Sequence, residues 1–209
     1  MTGTLVGAPS LQLRLADGRV LAMELTRWLA AADDVDEGVH DRAEGPVLDV
    51  GCGPGRMVRA LRDRGVEALG VDISSSAVAV ARARDTPVVH ASAFAPLPDE
   101  GRWGTTLLID GSVGIGGDPA MLLRRIAKLL CPGGRLLVEV EGPHQPTESV
   151  LARLESARRR SPWFRWARLS ARDLPSLAGD CGFHVAEQWV DAGRHFGRLD
   201  RCGDYSTTI

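Results

Sequence analysis

From residue 46 onward, short apolar runs alternate with stretches of helical periodicity, the pattern of a parallel sheet built with crossover helices. Val47 to Val50, Ala68 to Val71, Val88 to Ala91, Thr105 to Ile109 and Arg135 to Val140 read as five successive strands. Arg56 to Arg64 is predicted as a helix, with Met57, Val58 and Leu61 on its apolar side. Ser75 to Arg84 is a second, its start marked by the serines Ser74 to Ser76. Asp118 caps a third, with Pro119 in its first turn; it runs to about Leu130, and Pro132, Gly133 and Gly134 stop it. Beyond the fifth strand, residues 148–160 are predicted as a helix. Another, capped by Ser170, ends near Gly182, and the segments 184–190 and 194–200 read as closing strands. Before residue 46, Leu11, Leu13 and Leu15 alternate toward the turn-forming Asp17-Gly18, which predicts a hairpin; helical patterning follows from about Leu21. No internal repeat, low-complexity segment or linker interrupts the chain, so residues 1–209 are expected to form one domain.

The most informative stretch is Val47-Leu48-Asp49-Val50-Gly51-Cys52-Gly53-Pro54-Gly55-Arg56, a glycine-rich turn between a buried strand and a helix. Glycine is suited to such a turn because it adopts permissive backbone angles and has no Cβ to block a ligand lying on the main chain. The helix start also offers unpaired N–H groups to a polar or negative ligand. About 20 residues further on, Asp72 ends the second strand, where a carboxylate accepts hydrogen bonds from a nucleoside ribose. A dinucleotide fingerprint requires GxGxxG, but the third glycine's place is taken by Arg56 and the spacing here is GxGxG, which argues against NAD.

The stretch instead resembles motif I of class I S-adenosylmethionine-dependent methyltransferases: an acidic residue, one apolar residue, then GxGxG. Gly70-Val71-Asp72-Ile73-Ser74 is similar to the acidic second motif of that family, and Leu129-Leu130-Cys131-Pro132-Gly133-Gly134-Arg135-Leu136 to its L-x-PGG-x-L approach to the fifth strand. The resemblance covers about residues 45 to 142. It implies an α/β fold with a doubly wound Rossmann-like sheet, mostly parallel with an antiparallel final strand and helices on both faces. Residues 1–45 would be an N-terminal hairpin and helical extension, 46–142 the cofactor-binding core and 143–209 the substrate-side and closing elements.

The resemblance also implies roles. Gly51, Cys52, Gly53 and Gly55 would pass under the methionine and ribose of S-adenosyl-L-methionine (product S-adenosyl-L-homocysteine), with Asp49 near the methionine amino group. Asp72 would hold the ribose and Ile73 would lie against the adenine. The family often places an acidic residue after the third strand; this chain has Ser92, Ala93 and Phe94, leaving a hydroxyl or backbone contact, or Phe94 packed on the ring. Asp110, Gly111 and Ser112 would lie beside the methionine portion or the entering acceptor.

Methyl transfer from a sulfonium is an in-line displacement, so positioning supplies most of the catalysis. A hydroxyl or ammonium acceptor must also lose a proton to a nearby base. The candidates at the carboxyl ends of the strands are Asp110, Glu141 and His144, and His144 is preferred because an imidazole titrates closest to neutral pH. His184 and His195 fall in strands and read as packing residues; His40 and His90 lie upstream. The Pro-Pro-aromatic motif typical of exocyclic or amide nitrogen acceptors does not follow the fourth strand. The glycines from Gly111 to Gly117 read either as a close approach to a ligand or as a flexible wall. Trp163, Phe164, Trp166 and Trp28 are candidates for lining a substrate pocket or a dimer interface, or for packing.

Composition adds boundaries. The net charge of −2 gives no general reason to expect nucleic acid, although Arg153, Arg158, Arg159, Arg160, Arg165, Arg168 and Arg172 cluster, as a solvated helix face or as a collar for an anionic substrate. Cys52, Cys131, Cys181 and Cys202 lack CxxC spacing and read as free thiols; no metal site is visible. No apolar run approaches the roughly 20 residues that span a bilayer, and Met1 to Ser10 lacks the features of a signal peptide. The expectation is a cytoplasmic enzyme, monomer or homodimer, acting on a small molecule without a membrane or nucleic-acid partner. A cofactor-binding protein without turnover, a nicotinamide-dependent oxidoreductase and a nucleic-acid methyltransferase are the alternatives.

Overall fold

The structure, a computed structural model, describes residues 11–157 and 159–203. The reading of Met1 to Ser10 and the place of Arg158 in the arginine cluster therefore lie outside the described residues. The five expected strands are present as β3 (Val47–Val50), β4 (Ala68–Asp72), β5 (Val88–His90), β6 (Trp103–Leu108) and β7 (Leu130–Val140). They pair in parallel in the order β7-β6-β3-β4-β5. The closing hairpin, β10 (Phe183–Asp191) and β11 (Arg194–Arg201), adds antiparallel to β7 and completes a seven-stranded mixed sheet. The chain order reverses between β3 and β6, so a crevice opens there at the carboxyl ends of the strands, where α/β sheets bind ligands.

The pleat sorts successive side chains to opposite faces. Leu48, Leu108, Leu136 and Val138 pack with α5 (Pro119–Leu129) and α6 (Leu174–Asp180). Val47, Leu107 and Leu137 pack on the other face with α2 (Asp34–His40), α3 (Arg56–Asp63) and α4 (Ser75–Arg82). Both faces of the central strands are thus buried, which is why they read as continuous apolar runs rather than alternating ones. Asp118 caps α5 by accepting from the Met121 N–H at 3.0 Å, with Pro119 in the first turn. Pro132-Gly133-Gly134 falls inside the start of β7, where the register against β6 shifts between Trp103 and Thr105. Gly134 is required there because a Cβ would come within 3.0 Å of the Trp103 carbonyl.

The N-terminal hairpin forms as expected, β1 (Gln12–Leu15) and β2 (Val20–Ala22) turning at Gly18 with φ +93°. Helix starts later than Leu21, at α1 (Leu25–Leu29), because Leu21 is paired in β2 opposite Leu13. The helix expected over residues 148–160 is instead β8 (Glu148–Glu155), paired with β1 on one side and β9 (Phe164–Arg168) on the other. Together they make a second, four-stranded antiparallel sheet in the order β2-β1-β8-β9. The reason is alternation: Leu13, Leu15 and Ala152 are buried together, with Val150 and Leu154 packed against them. Ser170 does not cap a helix start directly; a turn follows it and α6 begins at Leu174 after Asp173.

The glycine-rich 3₁₀ segment Ser112–Gly117 serves packing of the second sheet against the first. A Cβ on Gly114 would strike the Ala167 carbonyl and the Trp166 indole, the latter at 2.6 Å, and one on Gly117 would meet Arg165 Cβ at 2.6 Å. Ser149 adds a hydrogen bond from its hydroxyl to the Gly117 carbonyl at 2.7 Å. These glycines admit β9, a close approach of protein on protein that neither expected reading, ligand approach or flexible wall, included. No helix among the described residues is long and apolar enough to cross a membrane.

Gly114→Ala is therefore expected to destabilise the fold by about 1–3 kcal/mol through overpacking. Gly179→Ala, in α6 with nothing within 4 Å of the added Cβ, is expected to stabilise it by about 0.5–1 kcal/mol. Urea denaturation of both variants checks the contrast.

Candidate active site

The loop after β3 takes three left-handed turns, at Gly51 (φ +78°), Gly53 (+54°) and Gly55 (+83°). Only Gly53 faces open space, with no atom within 4 Å of an added Cβ. Gly51 is packed against Ile115 and Ser112, and Gly55 against Thr86. Asp72 at the end of β4 braces this loop. Its Oδ2 accepts from the Gly53 N–H at 2.8 Å and its Oδ1 from the Ser74 N–H at 2.7 Å. Each carboxylate oxygen keeps a second lone pair for a ligand hydroxyl. Beside it Ile73 is 74% exposed, a large apolar side chain left in solvent at the crevice.

The remaining expected residues divide. Cys52 turns inward against Gly70, and burial pushes its thiol well above the ordinary range, so only its backbone is left for a ligand. All four cysteines are free thiols. Ser92 accepts from the Phe94 N–H at 3.2 Å, Ala93 is buried, and Phe94 stands half-exposed over Gly116. Asp110 and Gly111 follow β6 with consecutive left-handed angles, φ +55° and +84°. Ser112 is buried with its hydroxyl unpaired, against Gly51. His144 sits exposed in the turn after β7 and is not among the walls of the cavity described below. His40 is buried in α2, where burial pushes its imidazole down to about 4 and keeps it neutral. Among the described residues no group of three or more His, Cys, Asp or Glu is arranged to hold a metal.

On the α2/α3 face, the carboxyl edge of the sheet carries charge instead of apolar side chains. Asp49 lies between Leu48 and Val50, 3% exposed; burial, then the nearby Asp110 and Asp72 carboxylates, push it up to about 8. Glu139, between the buried Val138 and Val140, is pushed up to about 7 by burial and by Asp110, against the pull of Arg27 and Arg56. Arg194 from β11 forks onto it, Nε to Oε1 at 2.8 Å and Nη2 to Oε2 at 2.6 Å. The Asp110 N–H donates to Glu139 Oε2 at 2.7 Å. Behind this pair the fully buried Asp36 receives Arg27 at 3.0 Å, Arg194 at 3.4 Å and Arg56. Arg56, the residue in place of a third glycine, also donates to Asp110 at 2.5 Å.

This network borders a cavity of about 520 Å³ between the two sheets. Its apolar wall includes Leu13, Met23, Val113 and two tryptophans, Trp28 and Trp166. Its charged groups are Glu24, Asp110, Glu139 and Glu141 with Arg27, Arg168 and Arg194. Sequence reasoning missed Asp36, Glu139, Arg27 and Arg194. Glu139 left one legible signal, a carboxylate within an otherwise apolar strand run; Asp36 left another, as partner of Asp33 in a capping box. The arginine cluster, expected as a solvated helix face or as a collar for an anionic substrate, is instead placed with Arg153 on β8, Arg165 and Arg168 on β9, and Arg159, Arg160 and Arg172 in the segments around them. Arg168 pairs with Glu141 and Glu148, Arg153 with Glu155, and Arg172 with Asp173.

The methyltransferase-domain family model matches residues 25–188, and the chain belongs to that family. Ubiquinone biosynthesis O-methyltransferase of Alkalilimnicola ehrlichii is 30% identical over 98 residues, a stretch that covers 44% of this chain and 39% of that enzyme. In fold, the chain is similar to an S-adenosylmethionine-dependent methyltransferase from Bacteroides fragilis solved with S-adenosyl-L-homocysteine. The TM-score is 0.78 at 21% identity, over 94% of this chain and 89% of that one. The sugar N-methyltransferase KedS8 from a Streptoalloteichus species gives 0.60 at 21% identity, over 86% and 90%. These likenesses establish a Rossmann-like methyltransferase fold.

Asp49 is protonated in the folded chain at pH values where it ionises in the unfolded one. Its stabilising contribution is thus full below about pH 4 and is lost as pH rises toward about 8. Urea denaturation from pH 5 to 8.5 is expected to show falling stability from this group, with a shallower slope in Asp49→Asn.

Proposed function

We propose that the chain is a cytoplasmic, single-domain methyltransferase that takes S-adenosyl-L-methionine at the Gly51–Gly55 loop and a small-molecule acceptor in the cavity between the sheets. The observation that carries this reading is the Asp72 brace: one carboxylate fixes the only glycine of the loop that faces open space. An exposed Ile73 beside it offers an apolar surface for a base, and the buried Asp49 a site for an ammonium. The donor set fits a nucleoside joined to an amino acid, and membership of the methyltransferase family supports it. Unpaired cysteines are consistent with a reducing compartment.

When bound, the cofactor supplies a methyl group on a cationic sulfur. The chain's own residues then do three things. Gly53, Asp72 and Ile73 hold the nucleoside, and Asp49 in its ionised form holds the amino group. The cavity, within the usual size range for small-molecule sites, receives the acceptor. Glu139 accepts the acceptor's proton, in place of the exposed His144: it lines the cavity and is held near neutrality by burial.

Calorimetric titration with S-adenosyl-L-methionine, S-adenosyl-L-homocysteine and NADH tests the cofactor. Both sulfur nucleosides are expected to bind and NADH is not. Asp72→Ala is expected to weaken binding at least about tenfold, or about 1.4 kcal/mol. Gly53→Val, which fills the open face and forces a β-branched residue into a left-handed backbone, is expected to do the same. NADH binding with silence to the sulfur nucleosides overturns the reading. For transfer itself, kcat is expected to rise with pH through about 7 as Glu139 ionises. Glu139→Gln is expected to flatten that profile and lower kcat by about 10²–10⁴.

A further inference from the structure

The charges around the cavity are unevenly committed. Every cavity arginine is engaged by two or more carboxylates. Arg194 forks onto Glu139 and reaches Asp36 and Asp110. Arg27 holds Asp36 at 3.0 Å, with Asp33 and Asp110 at 3.5 and 3.8 Å. Arg168 holds Glu141 at 2.9 Å and Glu148 at 3.4 Å. An anionic acceptor would have to break one of these pairs, exposing a partly buried carboxylate. Of the carboxylates, Glu139 and Asp110 are committed to arginines, but the other two are less occupied. Glu141 uses only Oε1, for Arg168, and Glu24 has no ion pair among the described residues. Both line the cavity alongside Trp28 and Trp166, whose ring faces attract cations.

We infer that the acceptor is an amine, entering as an ammonium with an aromatic or similarly flat body, recognised by Glu24, Glu141 and the two tryptophans. The inference rests on reading the cavity as the acceptor site. The ammonium gives its proton to the Glu139 carboxylate, and the freed nitrogen lone pair forms the N–C bond to the methyl carbon. The C–S bond breaks with its electrons going to sulfur, which becomes a neutral thioether, and the product is an N-methylated ammonium.

Three probes that share one ring test this: tryptamine, tryptophol and indole-3-acetate, each titrated by ligand-observed NMR into the chain alone and into the chain with S-adenosyl-L-homocysteine. Tryptamine is expected to bind at least tenfold more tightly than indole-3-acetate, and more tightly than tryptophol. Glu24→Gln, a change at an exposed side chain, is expected to shrink that preference severalfold. Glu141→Gln, which leaves Arg168 with Glu148 as its one carboxylate partner, is expected to shift it toward indole-3-acetate. Equal responses to the three probes, absence of response included, or a preference for the carboxylate overturn the inference. Titration into the chain alone keeps this outcome separate from the cofactor reading, which fails only if the sulfur nucleoside itself does not bind.

Discussion

Asp36 is a carboxylate with no exposed surface, and three arginines converge on it from three parts of the chain: Arg27 from α1, Arg56 from the helix that follows the glycine loop, and Arg194 from the closing hairpin. A buried carboxylate is tolerable only when its charge is matched, and removing one partner of such a cluster leaves an uncompensated charge that costs about 3–5 kcal/mol. The cluster therefore fixes where the N-terminal helices, the loop and the β11 strand sit relative to one another. Through Arg56 and Arg194 it also reaches Asp110 and Glu139, so the same network borders the cavity.

The position of this network follows from the pleat. Glu139, Arg194 and Asp49 project from strands on the face that α2 and α3 cover, and they lie at the carboxyl edge where that cover ends. Deeper in the sheet the same face is filled by Leu107, Leu137 and Phe196, all fully or almost fully buried. A single alternation thus gives a dry core below and a charged layer above. The crevice at the strand-order reversal lies beside that layer, with the Asp72 brace on its β4 side.

The core of the fold was legible because its signals are local. A strand of four or five apolar residues, a serine or aspartate cap and a Pro-Gly-Gly bend all act within a few residues, and β3 to β7 appear where they imply. Residues 148–155 misled because Leu151 and Leu154 have helical spacing while Val150, Ala152 and Leu154 alternate as in a strand. The alternation wins only because β1, more than a hundred positions away in the chain, and β9, which follows after a short connection, lie on either side to pair with it. For the same reason the site was half legible. Asp49, Gly53 and Asp72 lie in contiguous motifs, whereas Arg27, Asp36, Glu139 and Arg194 meet only in three dimensions. His144 is chemically suited to accept a proton, but the turn that carries it faces solvent. The glycines at 114 and 117, expected as a close approach to a ligand or as a flexible wall, admit a strand.

The most direct test of the account is a crystal structure of the chain grown with S-adenosyl-L-homocysteine. It is expected to show the ribose hydroxyls on Asp72, the backbone of Gly53 against the nucleoside, the adenine on Ile73 and the amino group toward Asp49, with the sulfur facing the cavity bordered by Asp110 and Glu139. A nucleoside bound away from the Gly51–Gly55 loop, or seated there with its sulfur turned away from that cavity, would contradict it.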